Sequence, residues 1–182
     1  MKELLKNRKV AVGITIVIVI LTTLFGSHRS LTAAAYPIER YFIEGEDGYS
    51  IQRDLDTRTG LASNLLIVAE RNLEENNLAV AELQSAITAM EQAQSVKEKA
   101  VANQQLTAAT ERMNLVLEEC ELSSTDDRYR MQIRTDLASC NQTISHDKYN
   151  ELATAYNTEV LGKFPASVLK LVNGVSELET FN

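Results

Sequence analysis

Residues 61–92 read LASNLLIVAERNLEENNLAVAELQSAITAMEQ. They hold no glycine and no proline, and neither breaker occurs anywhere in residues 61–161. Leu66, Ala69, Leu73, Val80, Leu83, Ile87 and Met90 recur at spacings of three, four or seven, an apolar stripe on a helix. The missing step falls at Asn76 or Asn77. Such a residue is either a polar register-setter on the seam or a solvated side chain at the stripe edge. One unbroken helix would have nothing to bury this stripe against, so the chain is expected to fold back near Gln94.

The next start signal is Ser95-Val96-Lys97-Glu98, a capping box in which the Ser hydroxyl and the Glu carboxylate satisfy each other's backbone amides. A second helix then runs to about Glu121, with Leu106, Ala109, Met113, Val116 and Cys120 on its stripe. The segment 122–127, LSSTDD, is the clearest break. Thr125 or Asp126 is expected to cap the next helix, and two acids suit the positive end of the helix dipole. The last long helix spans residues 127–161 through Ile133, Leu137, Cys140 and Ile144, then Tyr149, Leu152, Tyr156 and Val160. Gly162 and Pro165 stop it. Residues 38–43 or 49–58 supply a shorter first helix, separated by the loop-like EGEDG at 44–48. The pattern predicts an all-α protein: an up-down antiparallel bundle or coiled coil over residues 49–165, with three long helices and a shorter first one. A tail, residues 166–182, carries Leu169, Leu171, Val172, Val175 and Leu178, apolar positions suited to docking on the bundle or on another chain.

Residues 10–25, VAVGITIVIVILTTLF, carry no charge. Sixteen helical residues rise about 24 Å against a hydrocarbon core of about 30 Å. Leu4, Leu5 and snorkelling Lys6 and Lys9 extend the reach. Eleven Val, Ile, Leu or Phe residues favour insertion by about 3–7 kcal/mol. The reading is a basic flank over residues 1–9, a transmembrane helix over 10–26 in contact with membrane lipid, and a linker with a short juxtamembrane helix over 27–48. Lys2, Lys6, Arg8 and Lys9 precede the span, whereas Arg29 and Arg40 lie beyond it. The cation bias puts the N-terminus in the cytoplasm and the bundle outside. The alternative is secretion after cleavage of a signal peptide at Ala33-Ala34-Ala35.

Composition narrows the function. The chain has 182 residues, 7 Gly, 2 Pro, no Trp and a formal charge of −7, which argues against an all-β domain and against a nucleic-acid surface. His28 and His146 cannot form one helical metal pair, and His146 beside Asp147 or Glu151 on a polar face reads as solvated. Adjacent acids such as Glu74-Glu75 and Glu118-Glu119 diverge on a helix and read as a solvated face, not as paired catalytic carboxylates. No phosphate loop, dinucleotide glycine pattern or nucleophile elbow occurs. Asn141-Gln142-Thr143 is a glycosylation sequon only where a eukaryotic secretory pathway exists. No catalytic residue, cofactor or metal ligand is expected. Cys120 and Cys140 are offset by about 15 Å along an antiparallel pair, too far for a disulfide, so two free thiols behaving as small hydrophobes are expected.

Tyr149-Asn150, Tyr156-Asn157-Thr158 and Phe164-Pro165 form the pattern YN-x5-YNT-x5-FP. It resembles the closing signature of the LemA family of membrane-associated bacterial helical-bundle proteins. Arg58, Leu61, Asn64 and Leu65 match that family's R-x-x-L-x-x-N-L, with Gly60 and Ser63 replacing its usual acid and proline. Residues 102–106, ANQQL, with Arg112 and Glu118, are similar to its third helix. Gln132, Leu137, Asn141 and Ile144 are similar to its last. The tyrosine-proline of its third turn is missing around Leu122, as is its tryptophan, so the resemblance is to a divergent member over about residues 53–172. It implies a membrane-anchored bundle and transfers no catalytic residues. The Tyr and Asn pairs, each seven apart, occupy adjoining helix faces. A structural role is expected: rings in the core, Asn157 and Thr158 bonding to neighbouring helices, and Phe164 tucked under the bundle end. The alternative for these residues is a patch that binds a partner or a peptidoglycan-like ligand. The functional expectation is a non-enzymatic scaffold or interaction module at the bacterial cell envelope, with an envelope protein or a second copy as partner. A sensory or ligand-binding ectodomain working with a partner subunit is the alternative.

Overall fold

The computed structural model describes residues 8–74 and 77–182. Of the basic flank expected over residues 1–9, only Arg8 and Lys9 fall among them, and Asn76 lies outside them. Among the described residues seven helices run in order: α1 Arg8–Glu44, α2 Ile51–Asn72, α3 Leu78–Gln92, α4 Val96–Glu118, α5 Ser124–Ser145, α6 Tyr149–Ala155, which runs on as a π-helical stretch Tyr156–Leu161, and α7 Ala166–Asn173. Among the described residues the only pairing of β type is an isolated bridge between Glu46 and Tyr49. The protein is all-α. The chain divides into two compact units, Arg40–Asn150 with Glu179–Asn182, and Met1–Glu39 with Glu151–Leu178.

The first of these units holds the four-helix bundle. Helix α2 packs on α3, α4 and α5, and α3 packs on α4. Leu55, Ala62, Leu65, Leu83, Leu106, Met113 and Leu117 are fully or almost fully buried. Burying each large side chain of this kind stabilises the fold by about 1.5–3 kcal/mol. The turn into α2 places Gly45, Asp47 and Gly48 at positive φ. A Cβ on Gly45 would stand 1.5 Å from the Tyr49 carbonyl oxygen, so only glycine closes this turn. Ser50 then caps α2: its hydroxyl accepts from the Arg53 N–H and donates to the Ile43 carbonyl.

The expected fold-back near Gln94 occurs, and the capping box of Ser95 and Glu98 is complete. The expected first long helix is instead two. It ends at Asn72 and restarts after Asn77, whose side-chain oxygen accepts from the Ala79 N–H. Asn77 is therefore a cap and not a seam residue. The interruption resets the helical phase, so the deepest apolar side chains of α2 are Leu55, Ala62, Leu65 and Ala69, while Leu66 and the C-cap residue Leu73 are only half-buried. Helix α5 begins one turn earlier than expected, capped by Ser123, with Asp126 and Asp127 in its first turn. The expected helix over 127–161 also breaks, at His146–Lys148. There Asp147 accepts from the Tyr149 N–H at 2.7 Å and starts α6. Leu152 and Val160, placed on the stripe by the unbroken register, are both 37% exposed. Cys120 and Cys140 are free and half-buried, and burial pushes the Cys140 thiol up.

The other unit contains most of α1. The expected linker over residues 27–48 does not exist as a linker, because the helix runs unbroken through Gly26 and Pro37 to Glu44. Ala33, Ala34 and Ala35, strong helix formers, sit inside it. The Ser27 and Thr32 hydroxyls donate to the carbonyls of Leu24 and His28 within the helix. Leu31 and Ala35, one turn apart, are buried with Tyr156 and Leu161. Among the described residues there is no separate short first helix: residues 38–43 end α1, and residues 51–58 begin α2.

Candidate functional site

The signature residues fall into the two units. In the bundle unit, Tyr149 is 1% exposed, and its ring meets the edge of Phe42 at 5.0 Å and 65°. Its hydroxyl donates to the Glu179 carbonyl at 2.8 Å. Asn150 grips one residue of the tail by both backbone groups: its amide nitrogen donates to the Phe181 carbonyl at 2.8 Å, and its oxygen accepts from the Phe181 N–H at 2.7 Å. The Phe181 ring is buried 6.0 Å from Phe42, and the Lys99 ammonium stands 5.6 Å from the Phe42 ring centre, a cation–π contact. The Glu179 carboxylate accepts from the Lys97 N–H at 2.9 Å, in the first turn of α4 where the helix dipole favours an anion.

In the other unit the same device recurs. Tyr156 is buried, and its hydroxyl donates to the Leu31 carbonyl at 3.0 Å. Asn157 donates to the Leu178 carbonyl at 2.8 Å and accepts from the Leu178 N–H at 2.9 Å. Each Asn side chain thus pairs with a main chain as a strand edge would, and it reads backbone, not side chain. The expectation that Asn157 and Thr158 bond to neighbouring helices is corrected. Asn157 bonds the tail, and the Thr158 hydroxyl donates to its own helix at Thr154. Phe164 is not tucked under the bundle; it is 85% exposed. Pro165 directly precedes α7.

A second feature lies inside the bundle. Arg58 on α2 is 0% exposed. Its guanidinium donates to the Leu137 carbonyl at 3.2 Å and the Thr107 hydroxyl at 2.8 Å, while Nε has no partner. Burial lowers its pKa, opposed by Cys140, Asp54 and Glu111. Among the described residues Arg58 makes no ion pair. Beside it is a cavity of about 300 Å³ lined by Thr107, Thr110, Glu111, Asn114, Arg134 and Asn141, among others. The Asn114 side-chain oxygen is also buried and unpartnered. Arg134 is held by Glu118, which also binds the buried Arg130. Among the described residues no three His, Cys, Asp or Glu side chains converge as a metal site would require.

A family model described as the LemA family matches residues 49–182. The chain belongs to the LemA family. No curated protein matches it. The residues that carried the LemA resemblance now have places. Arg58 joins α2 to α4 and α5, and Leu65 and Leu106 are core. Arg112 pairs with Glu82 across α4 and α3, and Asn141 lines the cavity. The sequence marked the tail as a docking segment but not the two asparagines as its holders, because bonds to its backbone leave no side-chain pattern. Its one sequence signal is the apolar spacing of Val175, Leu178 and Phe181.

Proposed function

We propose that this LemA protein is anchored in the bacterial plasma membrane by α1 and acts as a non-enzymatic scaffold or interaction module of the cell envelope, with the bundle outside the cytoplasm. The observation that carries this reading is the continuity of α1. The charge-free block over residues 10–25 is part of a helix long and apolar enough to cross a membrane, and none of its most apolar window is buried in protein. By length and position a signal sequence would match equally. Cleavage near Ala35, however, would cut a packed helix and remove Leu31 and Ala35 from the core they share with Tyr156 and Leu161. It would also remove the carbonyl that receives the Tyr156 hydroxyl. The excess of cations before the span supports the orientation.

Carbonate extraction with intact-mass measurement tests the anchor. The full-length chain is expected in the membrane pellet, and a shortened chain in the soluble fraction would sink the reading. A membrane-impermeant thiol reagent applied to intact cells carrying Thr88→Cys, at an exposed bundle position, tests the orientation; lack of labelling until lysis reverses it. Crosslinking in cells tests the scaffold role, and failure to recover any reproducible neighbour counts against it.

The cavity beside Arg58 favours a second reading, a ligand-binding ectodomain. A buried guanidinium without an ion pair is costly, and a small anion is its natural complement. Inorganic phosphate or acetate is then expected to raise Tm in the wild type and not in Arg58→Met. Equal behaviour of the two proteins removes this reading.

A further inference from the structure

Helix α7, Ala166–Asn173, buries none of its residues. Phe164 is 85% exposed, Val168 54%, Leu171 80% and Val172 64%. Val168, Leu171 and Val172, at helical spacings of three and four, share one face of α7, and Phe164 is exposed in the turn just before it. That face is apolar and uncovered. The other side of the segment is held within its own unit. Ala166, Val175 and Leu178 pack against Leu31, Ala35, Tyr156 and Leu161. Gly174, in the left-handed conformation, ends the helix. The Asn173 side-chain nitrogen donates to the Ser27 hydroxyl at 2.7 Å. The end of α7 is therefore tied to α1 two residues beyond Phe25, the last residue of the charge-free block.

The span sets the height of that tie. Residues 10–25 rise about 24 Å, some 6 Å less than the hydrocarbon thickness. About twenty helical residues are needed to cross it, so the hydrocarbon boundary on this side falls near Ser27. The headgroup layer adds about 5–7 Å. A helix with its side chains is about 10–12 Å wide, so side chains at the Asn173 end of α7 reach that layer. We infer that α7 is an interfacial helix, with Val168, Leu171 and Val172 seated in the boundary between lipid headgroups and acyl chains beside the span. The inference rests on the membrane-anchored reading.

Lipid suits the face better than a second copy does. The helix that carries the face is tied to α1 at Ser27, two residues beyond Phe25, which is 70% exposed. Three side chains on an eight-residue helix offer on the order of a few hundred Å², against the 1,200–2,000 Å² or so buried in a stable protein interface. Lys163 and Lys170 flank the face and carry carboxylate partners, Glu159 and Glu177, and no acid interrupts it. Amphipathic helices of this pattern lie in the interface plane.

The protein contains no tryptophan, so one introduced indole is the sole probe. Full-length Leu171→Trp, Ile18→Trp and Thr88→Trp are reconstituted in phosphatidylcholine–phosphatidylglycerol vesicles with acyl chains brominated near the headgroup or near the chain end. The Ile18→Trp indole is expected to lose most of its emission to deep bromine. The Leu171→Trp indole is expected to lose most of its emission to shallow bromine and to resist aqueous iodide. The Thr88→Trp indole is expected to show the reverse, quenched by iodide and untouched by lipid. If Leu171→Trp behaves like Thr88→Trp while Ile18→Trp reads deep lipid, the interfacial helix is wrong and the anchor stands. If Ile18→Trp escapes bromine, the anchor is wrong and this inference fails with it. Shielding of Leu171→Trp from both quenchers, weakening as protein is diluted into lipid, assigns the face to a second copy and also overturns the inference.

Discussion

The two ends of α1 are built from similar residue types and meet different surroundings. From Val12 to Phe25 the large apolar side chains are mostly 42–70% exposed all round the helix. Farther along, Leu31, Ala35 and Phe42 are 8%, 7% and 3% exposed, and polar or charged residues such as Arg29, Glu39 and Arg40 fill the other faces. The first end is apolar without periodicity, so no single protein face could cover it. The second is apolar at helical spacing, and each of its buried side chains is covered within its own unit. A helix that is greasy on every side calls for a surrounding apolar solvent, whereas one with a single stripe calls for a protein core.

The largest expected effect breaks the first end. Val17→Arg with Val19→Arg should cost about 5–7 kcal/mol of insertion free energy, comparable to the whole favourable term of about 3–7 kcal/mol. On the proposed anchor, the chain should move from the carbonate-resistant to the soluble fraction. Continued membrane retention would mean that the span is not what holds it. The second end should respond in stability and not in partition. Phe42→Ala, which empties a site lined by Tyr149 and Phe181, should lower unfolding free energy by about 3–5 kcal/mol in urea melts, with membrane retention unchanged.

A finer test concerns the tail that covers the buried stripe. Asn157→Ala removes two hydrogen bonds to Leu178 and should cost about 1–3 kcal/mol. Hydrogen exchange should accelerate at the Leu178 amide, and unchanged protection there would mean that side-chain packing alone holds the tail. The smallest effect lies in the capping box. Backbone N–H groups of Ser95 and Gln94 donating to Glu98 hold its carboxyl below the usual glutamate range. A lowered folded-state pKa gives stability that is complete above the unfolded value and is lost as pH falls through the folded one. Glu98→Gln should flatten that part of the acid limb in urea midpoints measured against pH. An unchanged slope would exclude Glu98 as its source.

Several parts of the structure were legible because their causes are local. The capping box is four residues reading one another, and the stripe of Leu106, Ala109 and Met113 is one uninterrupted helix keeping its phase. Tyr149 and Tyr156 were legible as buried rings because the seven residues Tyr149–Ala155 are α-helical and the π-helix begins only at Tyr156. The α2 stripe was misplaced because a break of a few residues around Asn77 resets the phase that periodicity assumes. Phe164 was misplaced because its burial depends on where α7 goes, which proline and glycine signals do not encode. The cavity beside Arg58 was invisible because Arg58, Thr107 and Asn141 meet only when α2, α4 and α5 pack.

The sequence by itself determined that the chain is helical, that residues 10–25 are too apolar for water, and where α4 begins. These conclusions rest on propensity, hydropathy and capping, which act over a few residues. Only the tertiary structure decided that the apolar block runs without a joint into the packed part of α1. It alone decided that two asparagines hold the backbone of the tail and that α7 leaves a face bare. Those outcomes depend on which distant surfaces compete for the same side chains, and a helix shows no difference in its own sequence between a neighbour that is present and one that is not.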